Sequence, residues 1–457
     1  MNVAEQIVAQ LVDAGVHRIY GIVGDSLNPI VDAVRKTGGS KKGGIDWIHV
    51  RHEEAAAFAA SAEAQLTGKL AVCAGSCGPG NLHLINGLYD ANRTGAPVLA
   101  IASHIPSVQI GTMYFQETHP DRIFEECSVY NELISSAAQS PRTVNSAIRH
   151  AVGLGGVSVI TLPGDVSDLK AVEHIPTYAP ARPATLAPNA ADVEEAAALL
   201  NKADKVAIFA GAGVEGAHDE VIALADALKA PIGHSLRGKH FIQYDNPFDV
   251  GMTGLLGYGA AAEGMNDADV LILLGTDFPY DQFLPDTPTI QVDTHAEKLG
   301  RRTDVGLAIH AQVKPFIEAL LPHLRENRSD SFLKSKIKKH SEIMHAPVGA
   351  YTRNVEKMRP IHPEYAAHLL NETAAKDAIF TADTGMCNVW TARYIDPLGT
   401  RRLIGSLLHG SMANALPMAL GAQVAYPDRQ VVSVSGDGGI SMLLGELITA
   451  KMYDLPV

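Results

Sequence analysis

Short β-branched apolar runs, each followed by an amphipathic or alanine-rich stretch, recur along the chain, and this alternation predicts repeated βα units. Val3 to Ala14 has the spacing of an amphipathic helix, Arg18 to Ile22 reads as a strand, and Gly24-Asp-Ser-Leu-Asn-Pro reads as a turn that caps the next helix. Trp47 to Val50 is a short strand pattern that breaks at Arg51-His52-Glu53-Glu54 into an alanine-rich helix. Lys69 to Gly75 is a buried strand, and Ser76-Cys-Gly78-Pro-Gly80-Asn81 is the turn that opens the following helix. Pro97 to Ala102 and Val157 to Leu162 supply further strands. Thr112 to His119 is an irregular polar and aromatic run of the kind that carries function in a compact domain.

The closely spaced prolines from Pro180 to Pro188 read as a linker, because prolines cannot donate to a central sheet. A second α/β unit follows, with strands at Lys205 to Ala210, Val270 to Thr276 and Thr289 to Asp293. The lysine-rich stretch within 324–358 reads as a solvated connecting helix. A third unit has strands at Asp377 to Thr381 and Gln430 to Ser435, and after the latter a helix to Tyr453. The expected architecture is therefore α/β, with three doubly wound parallel-sheet domains at 1–179, 180–345 and 346–457. At about 100 residues the third is small for such a domain and is expected to be incomplete at its C-terminal end.

The length of 457 residues suits roughly three domains. A net charge of −13 argues against a nucleic-acid surface. No stretch reaches the roughly 18 to 20 unbroken apolar residues of a membrane span, and Met1-Asn-Val-Ala-Glu-Gln lacks a signal-peptide pattern, so a cytoplasmic location is expected. Cys73, Cys77, Cys127 and Cys387 form no Cys-x-x-Cys pair and read as reduced thiols. His52-Glu-Glu-Ala-Ala does not have zinc-helix spacing, and the sequence shows no other ligand cluster.

Candidate chemistry gathers where strands turn into helices. Glu53 stands at the carboxyl edge of a parallel sheet, where open α/β folds bind ligands, and there it either meets a cofactor or complements the helix dipole. Gly78 and Gly80 allow close backbone approach. Gly211-Ala-Gly213-Val-Glu-Gly216 fits a dinucleotide fingerprint, and equally a tight turn without ligand. Arg237, Gly238, Lys239, Thr253, Gly254, Thr276, Asp277 and Phe278, with Asp293 as a ribose-accepting acid, extend that stretch toward a large dinucleotide site. Gly436-Asp437-Gly438-Gly439 suits a diphosphate, with Asp437 as a magnesium ligand, and such a turn also occurs without one.

Glu53 in Arg-His-Glu-Glu-Ala-Ala-Ala-Phe, the Gly78 to Gly80 turn, Phe115-Gln116-Glu117, His409-Gly-Ser-Met412 and Gly436 to Gly439 resemble the thiamine-diphosphate-dependent pyruvate oxidase family. Within it the chain is most similar to the quinone-reducing bacterial branch, and the resemblance extends over essentially the whole chain, including Ser76-Cys-Gly-Pro-Gly-Asn-Leu-His-Leu-Ile-Asn-Gly-Leu and Leu236-Arg-Gly-Lys-His. The resemblance implies thiamine diphosphate, Mg2+ and FAD as cofactors. Glu53 would hydrogen-bond the aminopyrimidine and promote the tautomer that activates the thiazolium, with Met412 propping the bent cofactor. Phe115 and Gln116 would line the pyruvate pocket. Asp383, Gly385, His409, Gly436, Gly438 and Gly439 would hold the thiamine diphosphate, and Asp437 the metal.

FAD along 211–293 would take two electrons and pass them to a membrane quinone, with acetate and carbon dioxide as products. The family pattern also implies a homo-oligomer, a dimer of dimers, whose sites form between subunits. Family members continue beyond the position of Val457 with a magnesium-binding asparagine and, in the quinone-linked branch, a tail that makes the protein peripheral on the inner face of the membrane. Three alternatives stay open: an acetolactate synthase, a phosphate- and oxygen-dependent oxidase, and a flavin-binding fragment with an unfinished thiamine site.

Overall fold

The structure is a computed structural model that describes residues 1–173, 178–181, 184–325 and 328–457. Arg182 and Pro183 of the expected linker lie outside the described residues. The chain divides into two compact units. One holds Met1–Arg182, Ala378–Asn388 and Ile404–Val457, and the other holds Pro183–Asp377 and Val389–Leu403. Three sheets lie within this division, each built on a parallel α/β pattern and the last of them small.

In the first unit, strands β1 (Arg18–Gly21), β2 (Asp46–His49), β3 (Ala71–Gly75), β4 (Val98–His104), β5 (Tyr130–Leu133) and β6 (Val157–Pro163) form a wholly parallel sheet in the order β2-β1-β3-β4-β6-β5. From β1 the chain steps outward to β2 and then back past β1 to β3. The order thus reverses between β1 and β3, and the crevice beyond their carboxyl ends is where such sheets accept ligands. Ile7, Leu11, Ile19, Val72 and Ile101 fill one face, and Tyr20, Cys73, Leu84, Leu88 and Ala100 fill the other.

Helix Glu53–Thr67 has apolar residues all round, which is the mark of a fully buried helix. Its alanines keep it slim. Helix Pro79–Thr94 packs on it through Gly87, where a Cβ would lie 2.5 Å from the Ala57 Cβ, and helix Ala415–Ala425 packs on it through Gly421, where a Cβ would lie 2.2 Å from the Ala59 carbonyl oxygen. Gly68, with φ of 65°, ends the helix in the left-handed conformation.

The second unit carries β7 (Val206–Ala210), β8 (Ile232–His234), β9 (Asp249–Met252), β10 (Tyr258–Gly259), β11 (Val270–Leu274), β12 (Thr289–Asp293) and β13 (Leu307–His310). Their order is β10-β9-β8-β7-β11-β12-β13, parallel apart from the β9–β10 pair. Its order reverses between β7 and β11. Helix Ser331–Ile343 matches the expected lysine-rich helix, but Lys336 on it is 4% exposed and ion-paired to Glu263 and Asp267, so one face is packed rather than solvated.

The third sheet has the order β15-β14-β16, from β14 (Ile379–Ala382), β15 (Arg402–Gly405) and β16 (Val431–Val434), with β14 and β16 parallel. The single final helix expected up to Tyr453 is instead two, Asp437–Met442 and Glu446–Met452. The break at Leu443-Leu444-Gly445 turns the second helix so that Glu446 and Thr449 are buried.

Candidate active site

The reversal points of the two sheets in the first unit gather most of the catalytic candidates. Beyond β1 and β3, the Ser26 and Ser76 hydroxyls lie 3.0 Å apart, and Ser26 also meets the Ser103 hydroxyl at 2.7 Å, which ties the loops after β1 and β3 to the end of β4. Gly78 adopts φ of 68°, and a Cβ there would come within 2.8 Å of the Gln116 carbonyl oxygen. The Gly78–Gly80 turn and the Phe115–Gln116 loop are therefore in contact, as Cys77 Sγ and Gln116 Oε1 at 3.3 Å also show. Gln116 itself has φ of 61°, a costly conformation for a residue with a side chain. Glu117 holds this loop by accepting the Gly111 and Tyr114 N–H groups, and these bonds, that from Gly111 foremost, keep its carboxyl below the usual range. The Phe115 ring is exposed.

Glu53 is the first residue of its helix and is 6% exposed. Its Oε2 lies 3.0 Å from His83 Nδ1, and the His83 ring stacks on His52 at 4.4 Å between centroids. Oε1 faces Gly80, where a Cβ would sit 3.0 Å away, and it makes no hydrogen bond among the described residues. His52, Glu53 and His83 thus come together as three groups with metal-ligating atoms, a cluster that the sequence does not show because His83 lies one helix away. His83 Nδ1 already bonds Glu53, and His52 Nδ1 caps the helix by accepting the Glu54 N–H at 3.2 Å, so hydrogen bonds account for the arrangement.

Behind the carboxylate, Asn86 donates to Glu54 Oε1 at 2.6 Å and to the Ser411 hydroxyl at 2.8 Å, while its carbonyl oxygen meets His409 Nε2 at 2.9 Å. His409 also stacks on Tyr89, and partial burial pulls its pKa down. This network brings the His409–Met412 turn onto the helices that carry Glu53 and His83.

At the third sheet, β14 ends in Asp383 and β16 ends before Gly436. Asp383 is 1% exposed; its Oδ1 accepts from Asn414 and from the Thr384 N–H, both at 3.0 Å, and its Oδ2 is buried without a partner. A Cβ on Gly439 would fall 1.8 Å from that oxygen, so only glycine fits there. Burial pushes the Asp383 pKa up. The Met412 methyl group lies 3.2 Å from where a Gly438 Cβ would be, which brings it against the same turn. Asp437 is exposed and caps the turn through the Gly438 N–H at 2.8 Å; Gly385 takes φ of 137° beside Asp383. The partnerless Asp383 Oδ2, the open space at Gly436, where a Cβ would meet nothing within 4 Å, and the uncommitted Glu53 Oε1 fit a polar ligand with a phosphate end and a hydrogen-bonding ring, whereas at Gly80 and Gly439 the Glu53 and Asp383 carboxylates already fill the space beside the backbone. No hydrogen bond among the described residues joins Glu53 to Asp437.

In the second unit Gly211 and Gly213 press on Gly275, a Cβ at either meeting its backbone at 2.4 and 2.6 Å. Glycine is needed there for the crossing of the β7 and β11 ends whether or not a ligand is bound. Gly238 meets the Ala210 carbonyl oxygen in the same way. Thr253 is buried with an unpartnered hydroxyl, Gly254 lies against the Phe278 ring, and Phe278 packs edge-on to Phe209. The Thr276 carbonyl accepts from Gln291, Asp277 is ion-paired to Arg301 and Arg302, and Asp293 caps the His295 N–H. Lys239 is 2% exposed, and its ammonium bonds Gln243 and Tyr258, so it faces the interior; burial brings its pKa down to about 8. The unpartnered Thr253 hydroxyl beside Gly254 is a feature of this unit that suits a polar ligand.

A parallel α/β chain with three reversal points and a buried carboxylate at the first is the architecture of a cofactor-binding enzyme. The N-terminal thiamine pyrophosphate binding domain matches residues 1–123, the central domain of thiamine pyrophosphate enzymes matches 193–320, and the C-terminal thiamine pyrophosphate binding domain matches 383–457. A Pseudomonas amyloderamosa protein encoded in the isoamylase 3′ region, itself uncharacterized, is 54% identical over 73% of this chain and 83% of its own length. Pyruvate oxidase of Lactiplantibacillus plantarum is 32% identical over 97% of this chain and 74% of its own, and the acetolactate synthase isozyme 2 large subunit of Escherichia coli is 31% identical over 100% and 82%. The chain belongs to the thiamine-pyrophosphate-dependent, pyruvate-oxidase-like enzyme family.

Sequence patterns miss His83, Asn86, Asn414 and Ser26, which the fold brings to these sites. His83 and Asn86 had a signal of a kind: they stand three residues apart in helix Pro79–Thr94, on the side that faces Glu53 and Glu54.

Proposed function

We propose that this enzyme decarboxylates pyruvate oxidatively to acetate and carbon dioxide, with electrons passing through FAD to a membrane quinone. The observation that carries the thiamine part is the state of Glu53: one carboxylate oxygen is committed to His83, and the other, buried beside Gly80, is left for a ring nitrogen. When bound, thiamine diphosphate supplies the electron sink for decarboxylation and FAD the two-electron acceptor.

The chain's own residues then have separate tasks. His83 fixes the carboxylate so that Oε1 is presented and can hold or take a proton there. Met412, lying over the glycine turn, limits the shape a ligand can take above Gly438. Gly436, Gly438 and Gly439 admit a diphosphate, Asp437 holds Mg2+, and Asp383 and Gly385 shape the floor, with His409 positioned by Asn86. Gln116 and Phe115, on the loop that meets the Gly78–Gly80 turn, would line the pyruvate position. In the second unit Gly211, Gly213, Arg237, Gly238, Thr253, Gly254, Thr276, Asp277, Phe278 and Asp293 would hold FAD, with Lys239 supporting from the interior.

Association into a homo-oligomer, a dimer of dimers, completes the site. Its support is a run of large exposed apolar side chains, Met442, Leu444, Leu447, Ile448 and Met452, close in sequence to the glycine turn. The quinone would be met at a membrane surface; no helix among the described residues is long and apolar enough to cross a membrane.

The test is anaerobic. Thiamine diphosphate, Mg2+ and pyruvate should bleach the flavin absorbance, added quinone should restore it, and acetate should accumulate. The similarity to an acetolactate synthase favours a second reading, in which a second pyruvate is the acceptor. Acetolactate formed with an unbleached flavin would replace the first reading by the second, and acetyl phosphate formed with oxygen and phosphate would place the chain with the oxidases.

A further inference from the structure

The corner in front of Glu53 is held from outside its own domain. β2 is an edge strand, paired only to β1, and its outer N–H and C=O groups need partners. They find them in helix Glu446–Met452 and the residue after it. The Tyr453 hydroxyl accepts the His49 N–H at 2.7 Å and donates to the Trp47 carbonyl at 3.1 Å. Glu446 Oε1 accepts two successive amides, Arg51 N–H at 2.8 Å and His52 N–H at 3.0 Å.

Two consecutive N–H groups converging on one carboxylate oxygen fix the direction in which the strand leaves the sheet. The residue that follows is Glu53. Glu446 is itself fixed: it is 1% exposed, and its Oε2 accepts the Thr449 hydroxyl at 2.7 Å. No salt bridge reaches it among the described residues, and burial raises its pKa against its hydrogen bonds and the more distant charge of Arg51. A buried carboxylate outside salt-bridge distance of any cation costs stability unless its hydrogen bonds offset that cost, so its retention points to a geometric task.

We propose that Glu446 is the positioning residue of Glu53: as a double acceptor it clamps the Arg51–His52 backbone, and so sets where the Glu53 carboxylate stands relative to the cofactor ring. The inference rests on the reading of Glu53 given above. It also couples the segment that begins with the Gly436–Gly439 turn to the carboxylate of the first domain, because Asp437 and Glu446 lie on consecutive helices.

The task needs an acceptor at the right distance, not a negative charge. Glu446→Gln keeps the acceptor oxygen and lets the amide donate to Thr449. Glu446→Asp keeps the charge but retracts the oxygen by one methylene. Three readouts separate the cases: amide hydrogen exchange in 47–54 of the cofactor-free protein, thiamine diphosphate affinity, and the rate of C2-proton exchange in bound thiamine diphosphate. Glu446→Asp should speed amide exchange at 51 and 52 and slow C2-proton exchange about ten- to a hundredfold, the usual penalty for a small misplacement, with affinity changed less than about twofold. Glu446→Gln should match wild type in all three. Tyr453→Phe, which leaves the clamp intact, should expose only the His49 amide.

Loss in Glu446→Gln would show that the charge matters and overturn the proposal, as would wild-type C2-proton exchange in Glu446→Asp. If Glu53→Gln also leaves C2-proton exchange unchanged, the reading of Glu53 itself has failed; if Glu53→Gln abolishes it while Glu446→Asp does not, only the clamp has.

Discussion

Gly421→Ala should loosen the helix that carries Glu53, and the size of the effect follows from one contact. The new Cβ would lie 2.2 Å from the Ala59 carbonyl oxygen and 2.8 Å from the Ala59 Cα and carbonyl carbon. These are backbone atoms of a buried helix, so no side chain can swing aside. Separations under 3.0 Å are not sustained, so the two helices must part by at least 3.0 − 2.2 = 0.8 Å along that contact. A gap of that size forfeits roughly a quarter to a half of the dispersion well for each pair of atoms it separates. Overpacking in a well-filled core costs about 1–3 kcal/mol, against a gain of about 1 kcal/mol from replacing glycine by alanine in a helix. The net expectation is a loss of about 0–2 kcal/mol, and because Glu53 begins the displaced helix, slower C2-proton exchange as well. Gly153→Ala is the control, since it lies in helix Ser140–Leu154 with nothing within 4 Å and should be neutral or slightly stabilising. Urea unfolding followed by amide exchange in 53–67 measures both. If Gly421→Ala is as harmless as Gly153→Ala, the close helix contact is not what fixes Glu53.

Glu53→Gln should preserve the fold and lose most decarboxylation, about a hundredfold or more, because an amide cannot exchange the proton at Oε1; carbon dioxide release measures it, and near wild-type turnover would reject this carboxylate. Asp437→Ala should weaken Mg2+-dependent thiamine diphosphate binding about tenfold or more in a fluorescence titration, and unchanged affinity would remove its metal role. Asp383 has a folded-state pKa above its ordinary value of 3.8, so the stability it contributes is fully present below that value and is lost as pH rises through the folded pKa. Unfolding midpoints of the cofactor-free protein should therefore show Asp383→Asn gaining on wild type from below pH 4 toward neutrality, and a constant difference across that range would contradict the burial of an unpartnered oxygen.

Much of this protein can be read from local sequence. Strand-then-helix alternation predicts the parallel sheets because periodicity in each element depends only on which of its faces is buried, and the glycine turns at 78–80 and 211–213 fall where backbones approach closely, while that at 436–439 meets side chains. Glu53 was legible for the same reason: its position at a strand-to-helix corner is a local fact. What the sequence could not contain was the partner of each such residue. His83 reaches Glu53, Asn86 reaches Ser411, and Glu446 reaches Arg51 only because helices far apart in the chain pack on alanines and glycines, and no periodicity encodes which helix meets which. Lys239 and Lys336 make the same point in reverse: their type predicts solvent, and packing buries both beside partners that neutralise or hydrogen-bond them. The sequence by itself determined the elements and the turns between them; tertiary structure alone decided which oxygen of Glu53 is occupied, because that depends on distances set by long-range packing.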